Sequence, residues 1–272
     1  MTDKEATKEE AAPEQQPSED KETPKDSPSG DTFVESDLPL SGEDGVIKTL
    51  FPKALADCKP PAPAELSADQ QSKYDELLKI VSGWTTIANS SEKNATSEPI
   101  TDDERMFMTR ECLLRYLRAT KWHVKEAANR LQSTLTWRRE YGTDKLTADY
   151  ISVENETGKQ VLIGFDNQGR PCLYLNPARQ NTEHSDRQIQ HLVFMLERVI
   201  DLMGPDQESL ALLVNFKETR AGQNATIGQG RQTLHILQNH YPERLGRALV
   251  TNSEMNLSQA LGYLWRQMLT EI

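Results

Sequence analysis

Leu234-His235-Ile236-Leu237-Gln238-Asn239-His240-Tyr241-Pro242-Glu243-Arg244-Leu245-Gly246-Arg247-Ala248-Leu249-Val250 is the stretch on which the fold turns. It opens with the apolar spacing of an amphipathic helix, breaks at Pro242 and closes as an apolar strand. Proline cannot continue the hydrogen-bond ladder of a helix interior, so Pro242 reads as the helix end. Gly246 offers the positive φ that the turn calls for. Glu243 and Arg244 then sit where a helix hands over to a sheet, a common place for polar groups to face a pocket. Taken alone, the pair fits an exposed ion pair of small energetic value equally well.

Upstream, Leu210-Ala211-Leu212-Leu213-Val214-Asn215-Phe216 is nearly continuous in apolar residues, which suits a strand buried on both faces. Arg187 to Met203 reads as a helix with Ile189, Leu192, Val193, Leu196, Val199 and Ile200 inward, ended by Gly204-Pro205. Lys159 to Phe165, the turn Asp166-Asn167-Gln168-Gly169-Arg170-Pro171, and Cys172 to Leu175 read as a hairpin. Strands alternating with helices predict an α/β domain with some parallel pairing. Residues 65–142 read instead as a small helical unit. Ser67 caps a helix through Tyr74, Leu77, Ile80 and Trp84, and Asn89 to Pro99 reads as a polar loop. Thr101 and Glu104 form a capping-box pattern opening one helix through Met106, Met108, Cys112 and Leu117. A further helix carries Ala127, Leu131, Leu135 and Trp137 up to Tyr141-Gly142.

The formal charge of −11 is uneven. Residues 1–44 hold 14 Asp or Glu against 4 Lys, so the rest of the chain is close to neutral. That acidic, Pro- and Ser-rich tail cannot bury enough surface to fold and is expected to be disordered. Ser27 and Ser41 are open as phosphosites, with plain solvation the blander reading. No basic block appears, so nucleic acid is not an expected partner. Cys58, Cys112 and Cys172 are too few and too widely spaced for a disulfide framework or a zinc site, which points to a reducing compartment. No signal-peptide core and no run of about 20 apolar residues is present, so membrane contact is expected to be peripheral.

Candidate chemistry is sparse. Gly228-Gln229-Gly230 before a helix suggests phosphate binding, but roughly ten residues separate it from the preceding strand, where the dinucleotide motif wants its glycines tight. A flexible loop is the preferred reading, with a nucleotide-binding enzyme as the alternative. His191 and His235 lack a second ligand at metal spacing and read as structural. No catalytic constellation, metal site or cofactor is expected. Lys121, after Arg118-Ala119-Thr120, reads in isolation as a cation at a helix C-terminus.

Together these residues resemble the CRAL-TRIO family, specifically fungal phosphatidylinositol transfer proteins. The resemblance runs from about Leu113 to Val250. It rests on Leu113-Leu114-Arg115-Tyr116-Leu117-Arg118-Ala119 with Lys121, Trp137-Arg138-Arg139-Glu140-Tyr141-Gly142, the turn Asp166 to Pro171, and His240-Tyr241-Pro242-Glu243-Arg244-Leu245-Gly246. It implies an α/β lipid-binding lobe beside a helical N-terminal lobe, and binding and transfer of lipid between membranes without bond chemistry. The expected layout is a disordered tail (1–45), a helical lobe (46–145), a partial lipid-binding domain (146–250) and a divergent helix (251–272). The implied headgroup residues are Lys121, Asp166, Glu243 and Arg244. Thr120 stands where the family commonly has arginine, so headgroup affinity is lower or its hydroxyl donates instead.

At the positions where relatives hold phosphatidylcholine with hydroxyls and tyrosines, this chain has Leu162, Leu173, Leu210 and Leu212. Leucine offers phosphocholine neither a donor nor an aromatic face, so the resemblance implies phosphatidylinositol with a second apolar ligand, a sterol, and ordinary core packing as the alternative. The implied setting is a cytoplasmic monomer transiently at membranes, with endoplasmic reticulum, lipid droplets and cell periphery all open. After Val250 the family's mobile gate is expected to be missing. Leu257, Leu261, Leu264, Trp265, Met268 and Leu269 form one apolar helical face there, and a truncated isoform that does not transfer is a further alternative.

Overall fold

The computed structural model describes residue 51, residues 53–220 and residues 222–252. The acidic tail and the apolar face read at residues 257–269 lie outside the described residues. The helical portion is built from α1 (Ala68–Ser82), α2 (Asp102–Phe107), α3 (Arg110–Ala119) and α4 (Val124–Tyr141), with β1 (Thr86–Ala88) and β2 (Ser97–Pro99) between α1 and α2. Ser67 and Thr101 each close a capping box, satisfying the first orphan amides of α1 and α2. Gly142 ends α4 at φ 69, a left-handed cap that glycine adopts without a Cβ penalty. Leu77, Leu113, Leu117, Leu131 and Tyr116 form the buried centre of this portion.

Two expectations for this region fail. The stretch read as a polar loop, Asn89 to Pro99, ends in a strand, with Ile87 opposite Glu98 in an antiparallel pair. No local signature marks that hairpin. The guanidinium of Arg139 holds it from outside, donating to the carbonyls of Ile87 at 2.7 Å and Pro99 at 2.9 Å and to the Glu104 carboxylate. The single helix expected from Thr101 is two helices. Met108 leaves helical geometry at ψ 51, and Thr109 recaps the chain by accepting from the Cys112 amide at 3.2 Å.

After α5 (Ala148–Asn155), which the sequence reading passed over, come β3 (Gln160–Phe165), β4 (Pro171–Leu175), α6 (Asp186–Asp201), β5 (Leu210–Asn215), α7 (Ile227–His240) and β6 (Leu245–Thr251). The sheet order is β3-β4-β5-β6. β3 and β4 form the expected antiparallel hairpin, and β4, β5 and β6 run parallel. β5 sits between two parallel neighbours, which explains its unbroken apolar sequence. Leu173, Ile189, Val193, Leu196 and Val199 centre the second core.

The opening stretch folds as helix, turn and strand, with one correction. Gly246 is not among the residues of positive φ, and Glu243 takes that conformation at φ 56. Gly246 is instead the extra residue of a β-bulge: Leu210 faces Leu245 while Ala211 faces Arg247. A Cβ on Gly246 would lie 2.9 Å from the Ser209 Cβ and against the Arg170 guanidinium, so only glycine fits.

Glu197 on α6 joins the helical portion to the sheet. Its carboxylate accepts two bonds from Arg138 of α4, at 2.8 and 3.0 Å, and one from the Tyr241 hydroxyl at 2.6 Å. Trp137 stacks on His240 with ring centroids 4.1 Å apart. Burial, then His235 and Arg130, hold His240 down from 6.5 to about 4, and burial with Lys159 does the same to His191. Both histidines therefore bind protons more readily unfolded than folded. Stability is fully present above about pH 6.5 and falls as pH drops towards 4, before the depressed carboxylates of Glu104, Asp166 and Glu197 lose theirs. Urea unfolding measured between pH 7 and 5 is expected to show a proton-linked slope approaching about two protons, reduced by about one in His240→Gln.

Candidate functional site

The residues singled out in the sequence sit at two chain reversals. At the first, α3 stops because Lys121 and Trp122 both take left-handed backbone, φ 52 and 64. The Trp122 amide reaches back to the Leu117 carbonyl at 2.7 Å to seal the end. Such conformations are costly for residues with a Cβ and persist where surroundings enforce them. The reversal leaves Lys121 exposed at the edge of a cavity, one helical turn beyond Arg118. Thr120 turns the other way. It is 4% exposed and its hydroxyl donates to the Tyr116 carbonyl at 2.9 Å, so the expected donation to a headgroup does not arise.

The second reversal follows α7. Glu243, left-handed, presents its carboxylate to Arg118, whose guanidinium also reaches Glu208 at 2.9 Å. Arg115, almost fully buried, meets the same Glu208 carboxylate at 3.3 Å. Arg244 differs from both. Its guanidinium donates to the Glu208 carbonyl at 2.8 Å and contacts the Met203 sulfur at 3.3 Å, and no carboxylate stands within ion-pair distance among the described residues. Burial, and then the like charge of Arg115, push it down to about 10. A cation so placed lowers its energy by gaining an anion.

These groups border one end of a cavity of about 1130 Å³ between α6, α7 and one face of the sheet. Leu210, Leu212, Val214 and Phe216, every second residue of β5 and its extension, line its floor, as strand alternation requires. Arg118, Lys121, Glu243 and Arg244 line it together. Asp166 does not. It sits in the β3–β4 turn, accepting from the Gln168 and Arg170 amides at 2.8 and 2.9 Å and from the Arg170 guanidinium at 3.1 Å. Burial alone would raise its pKa, but those bonds hold it below the usual carboxylate value. Arg170 donates in turn to Ser209 at 3.0 Å, beside the Gly246 bulge. Leu162, Leu173 and Leu212 are register partners in one row across the sheet. Leu210 and Leu212 line the cavity, and Leu173 is wholly covered beneath it.

Arg118 is the residue the sequence reading left out. Its signal was its place in the last turn of α3, three residues before Lys121, where a cation favours the helix C-terminus. Gly228 and Gly230 lie inside the first turns of α7, and the Gly230 amide is already used by Thr226 at 2.8 Å. The loop expected there is helix. His191 is fully buried, with Nε2 3.3 Å from the Asn155 side chain. Among the described residues no group of His, Cys, Asp and Glu is placed to hold a metal ion.

A CRAL/TRIO domain model matches residues 155–255, and a CRAL/TRIO N-terminal domain model matches residues 73–133. The chain is 51% identical over 211 residues to a CRAL-TRIO domain-containing protein of Schizosaccharomyces pombe, covering 77% of this chain and 21% of that protein. It is 41% identical over 207 residues to the phosphatidylinositol transfer protein PDR17 of Saccharomyces cerevisiae, covering 69% of this chain and 59% of that one. To the SEC14 cytosolic factor of Yarrowia lipolytica it is 24% identical over 236 residues, covering 79% and 44%. It thus spans less than two thirds of each of these curated relatives. The crystal structure of Sfh5 superposes with a TM-score of 0.52 at 12% identity, covering 77% of this chain and 78% of that one, a likeness of fold.

Tyr241, which lines the cavity, is anchored by the Glu197–Arg138 pair below it, with both side chains about four-fifths buried. Arg138→Met strands that carboxylate and is expected to cost about 3–5 kcal/mol in urea unfolding. Adding Glu197→Leu is expected to recover part of the loss, by removing the unpaired charge, while leaving the Tyr241 hydroxyl without its acceptor.

Proposed function

The chain belongs to the CRAL/TRIO domain family, and on that premise we propose that it binds phosphatidylinositol in the cavity above β5 and exchanges it at membrane surfaces. One observation carries the reading. Arg244 is a partly buried guanidinium without a carboxylate partner among the described residues, at the charged end of a cavity whose floor is mostly leucine and valine. A phosphodiester supplies the missing anion, and a guanidinium can meet it with two parallel bonds. Lys121, exposed at the rim, adds a second cation. The acyl chains would lie over Leu210, Leu212 and Val214, where removing apolar surface from water contributes about 25 cal/mol per Å².

Glu243 and Arg118 give the site an exchangeable element. Their ion pair is about one third exposed on each side, so it is worth little in itself. An incoming phosphate can draw Arg118 away, and inositol hydroxyls can then donate to Glu243. Asp166 contributes at one remove, holding Arg170 against Ser209 at the bulge that sets Leu245 beside Leu210. The process is binding and release, with no bond made or broken. No described helix is long and apolar enough to cross a membrane, so contact with the bilayer is proposed to be peripheral.

The second ligand is proposed to be apolar, a sterol in preference to phosphatidylcholine. Leu210 and Leu212, the two of the four leucines that line the cavity, offer a quaternary ammonium no aromatic face and its phosphate no donor. Incubation with vesicles of equal phosphatidylinositol and phosphatidylcholine, followed by native mass spectrometry, is expected to load phosphatidylinositol alone. Comparable phosphatidylcholine would sink the selectivity. Arg244→Gln is expected to lower phosphatidylinositol affinity at least about tenfold, and Asp166→Asn to lower it less.

A further inference from the structure

The cavity has a second polar end that the headgroup reading leaves unused. Its floor follows the chain from Leu210 to Phe216, six steps at ~3.3 Å, or roughly 20 Å. Arg118, Glu243 and Arg244 border the Leu210 end. At the Phe216 end the lining turns to neutral amides, among them Gln160, Asn176 and Asn224. All three border the same cavity. Gln160 faces Leu175 in the β3–β4 register, and Leu175 faces Val214, so Gln160 stands on the cavity side of the sheet. Asn176 continues β4, its amide bonded to the Lys159 carbonyl at 2.8 Å. The Gln223 side chain donates to the Ala178 carbonyl at 2.8 Å, which draws Asn224 onto the same strand ends.

The side-chain oxygens of Gln160, Asn176 and Asn224 are shielded from water and meet no donor. Neighbouring amides are occupied: Gln180 donates to Thr182, and Gln188 accepts from Gln229 at 2.9 Å. The nearby cation is committed too. Lys159 is 6% exposed in its side chain and held by Glu154, Asn181 and Thr182. Buried acceptors without donors are unusual, and three at the end of an apolar slot call for a ligand that donates. A phosphate would meet acceptor oxygens there and, among the described residues, no uncommitted lysine or arginine. A hydroxyl at the end of an apolar body satisfies them.

We infer that the Gln160–Asn176–Asn224 end binds the hydroxyl of a long uncharged alcohol, lying along β5 with its polar end opposite the phosphatidylinositol headgroup. This rests on the reading of the cavity as a lipid site. A sterol and a linear long-chain alcohol share the chemistry. The two ligands would then exclude each other along the floor while using different polar ends.

The test titrates the full chain with cholesterol, its deoxy analogue lacking the hydroxyl, hexadecanol, hexadecane and phosphatidylinositol. One alcohol is expected to bind at least about tenfold more tightly than its own hydrocarbon, and whether cholesterol or hexadecanol does so identifies the source. Gln160→Leu with Asn176→Leu, and separately Asn224→Leu, are expected to erase that preference, with phosphatidylinositol reporting whether the cavity still forms. Equal affinity for alcohol and hydrocarbon in the unaltered protein overturns the proposal. So does a preference that survives the substitutions, or a parallel loss of phosphatidylinositol in both variants. Alcohol preference without phosphatidylinositol binding would overturn the headgroup reading alone, and no binding of any probe would overturn both.

Discussion

The end of α7, and with it the start of the charged end of the cavity, is held by one largely buried carboxylate. Glu197 accepts from Arg138 on α4 and from Tyr241 at the end of α7 while being carried on α6. Burial alone would drive it towards the neutral form, and those donors keep it ionised, below its usual pKa. Three segments far apart in sequence are thereby fixed at one point. The position of Tyr241 decides where Pro242 breaks the helix and where the two charged residues after it emerge. Trp137, stacked on His240 and edge-on to Tyr241 at 6.0 Å, supports the same point from the helical side.

Electrostatics at this end divides into two regimes. The pair of Arg118 and Glu243 is open to water and can be rearranged at little cost. Arg244 is held by a carbonyl and a sulfur in a drier place, where rearrangement is costly and an incoming anion gains more. A site that must both hold and release an amphiphile needs both kinds of group. The left-handed backbone of Lys121 and Glu243 places the movable charges on the outside of the two reversals.

Most of the sheet was legible because each strand announced itself by length and apolarity, and the central position of β5 by its lack of alternation. The capping boxes at Ser67 and Thr101 were legible for the same local reason. What failed was decided at a distance. The short β1–β2 pair exists because Arg139, some forty residues on, gathers its carbonyls. The break at Met108–Thr109 pits a continuing apolar pattern against a second cap, and pattern alone cannot weigh them. For the site, Lys121, Glu243 and Arg244 come to one cavity, whereas the bonding of Asp166 to its own turn and the part of Arg118 depend on side-chain geometry. The glycine of the opening stretch serves by lack of bulk rather than by freedom of φ, a difference that depends on Ser209 and Arg170 from elsewhere in the chain.

That glycine has a consequence for how the gene can change. With the bulge, Ala248 faces Leu212 and Val250 faces Val214, so small apolar groups continue the row across the slot. Closing the bulge would shift β6 by one place and bring Arg247 opposite Leu212. A substitution at Gly246 crowds Ser209 and Arg170, an injury to packing. Loss of its codon would remove only the extra residue and leave Leu245 opposite Leu210 and Arg247 opposite Ala211, whereas one residue added after it would reverse the parity of the strand and carry the Arg247 charge into the greasy floor. Beyond the bulge the count of residues along β6, more than the identity of any one of them, is what selection has to guard.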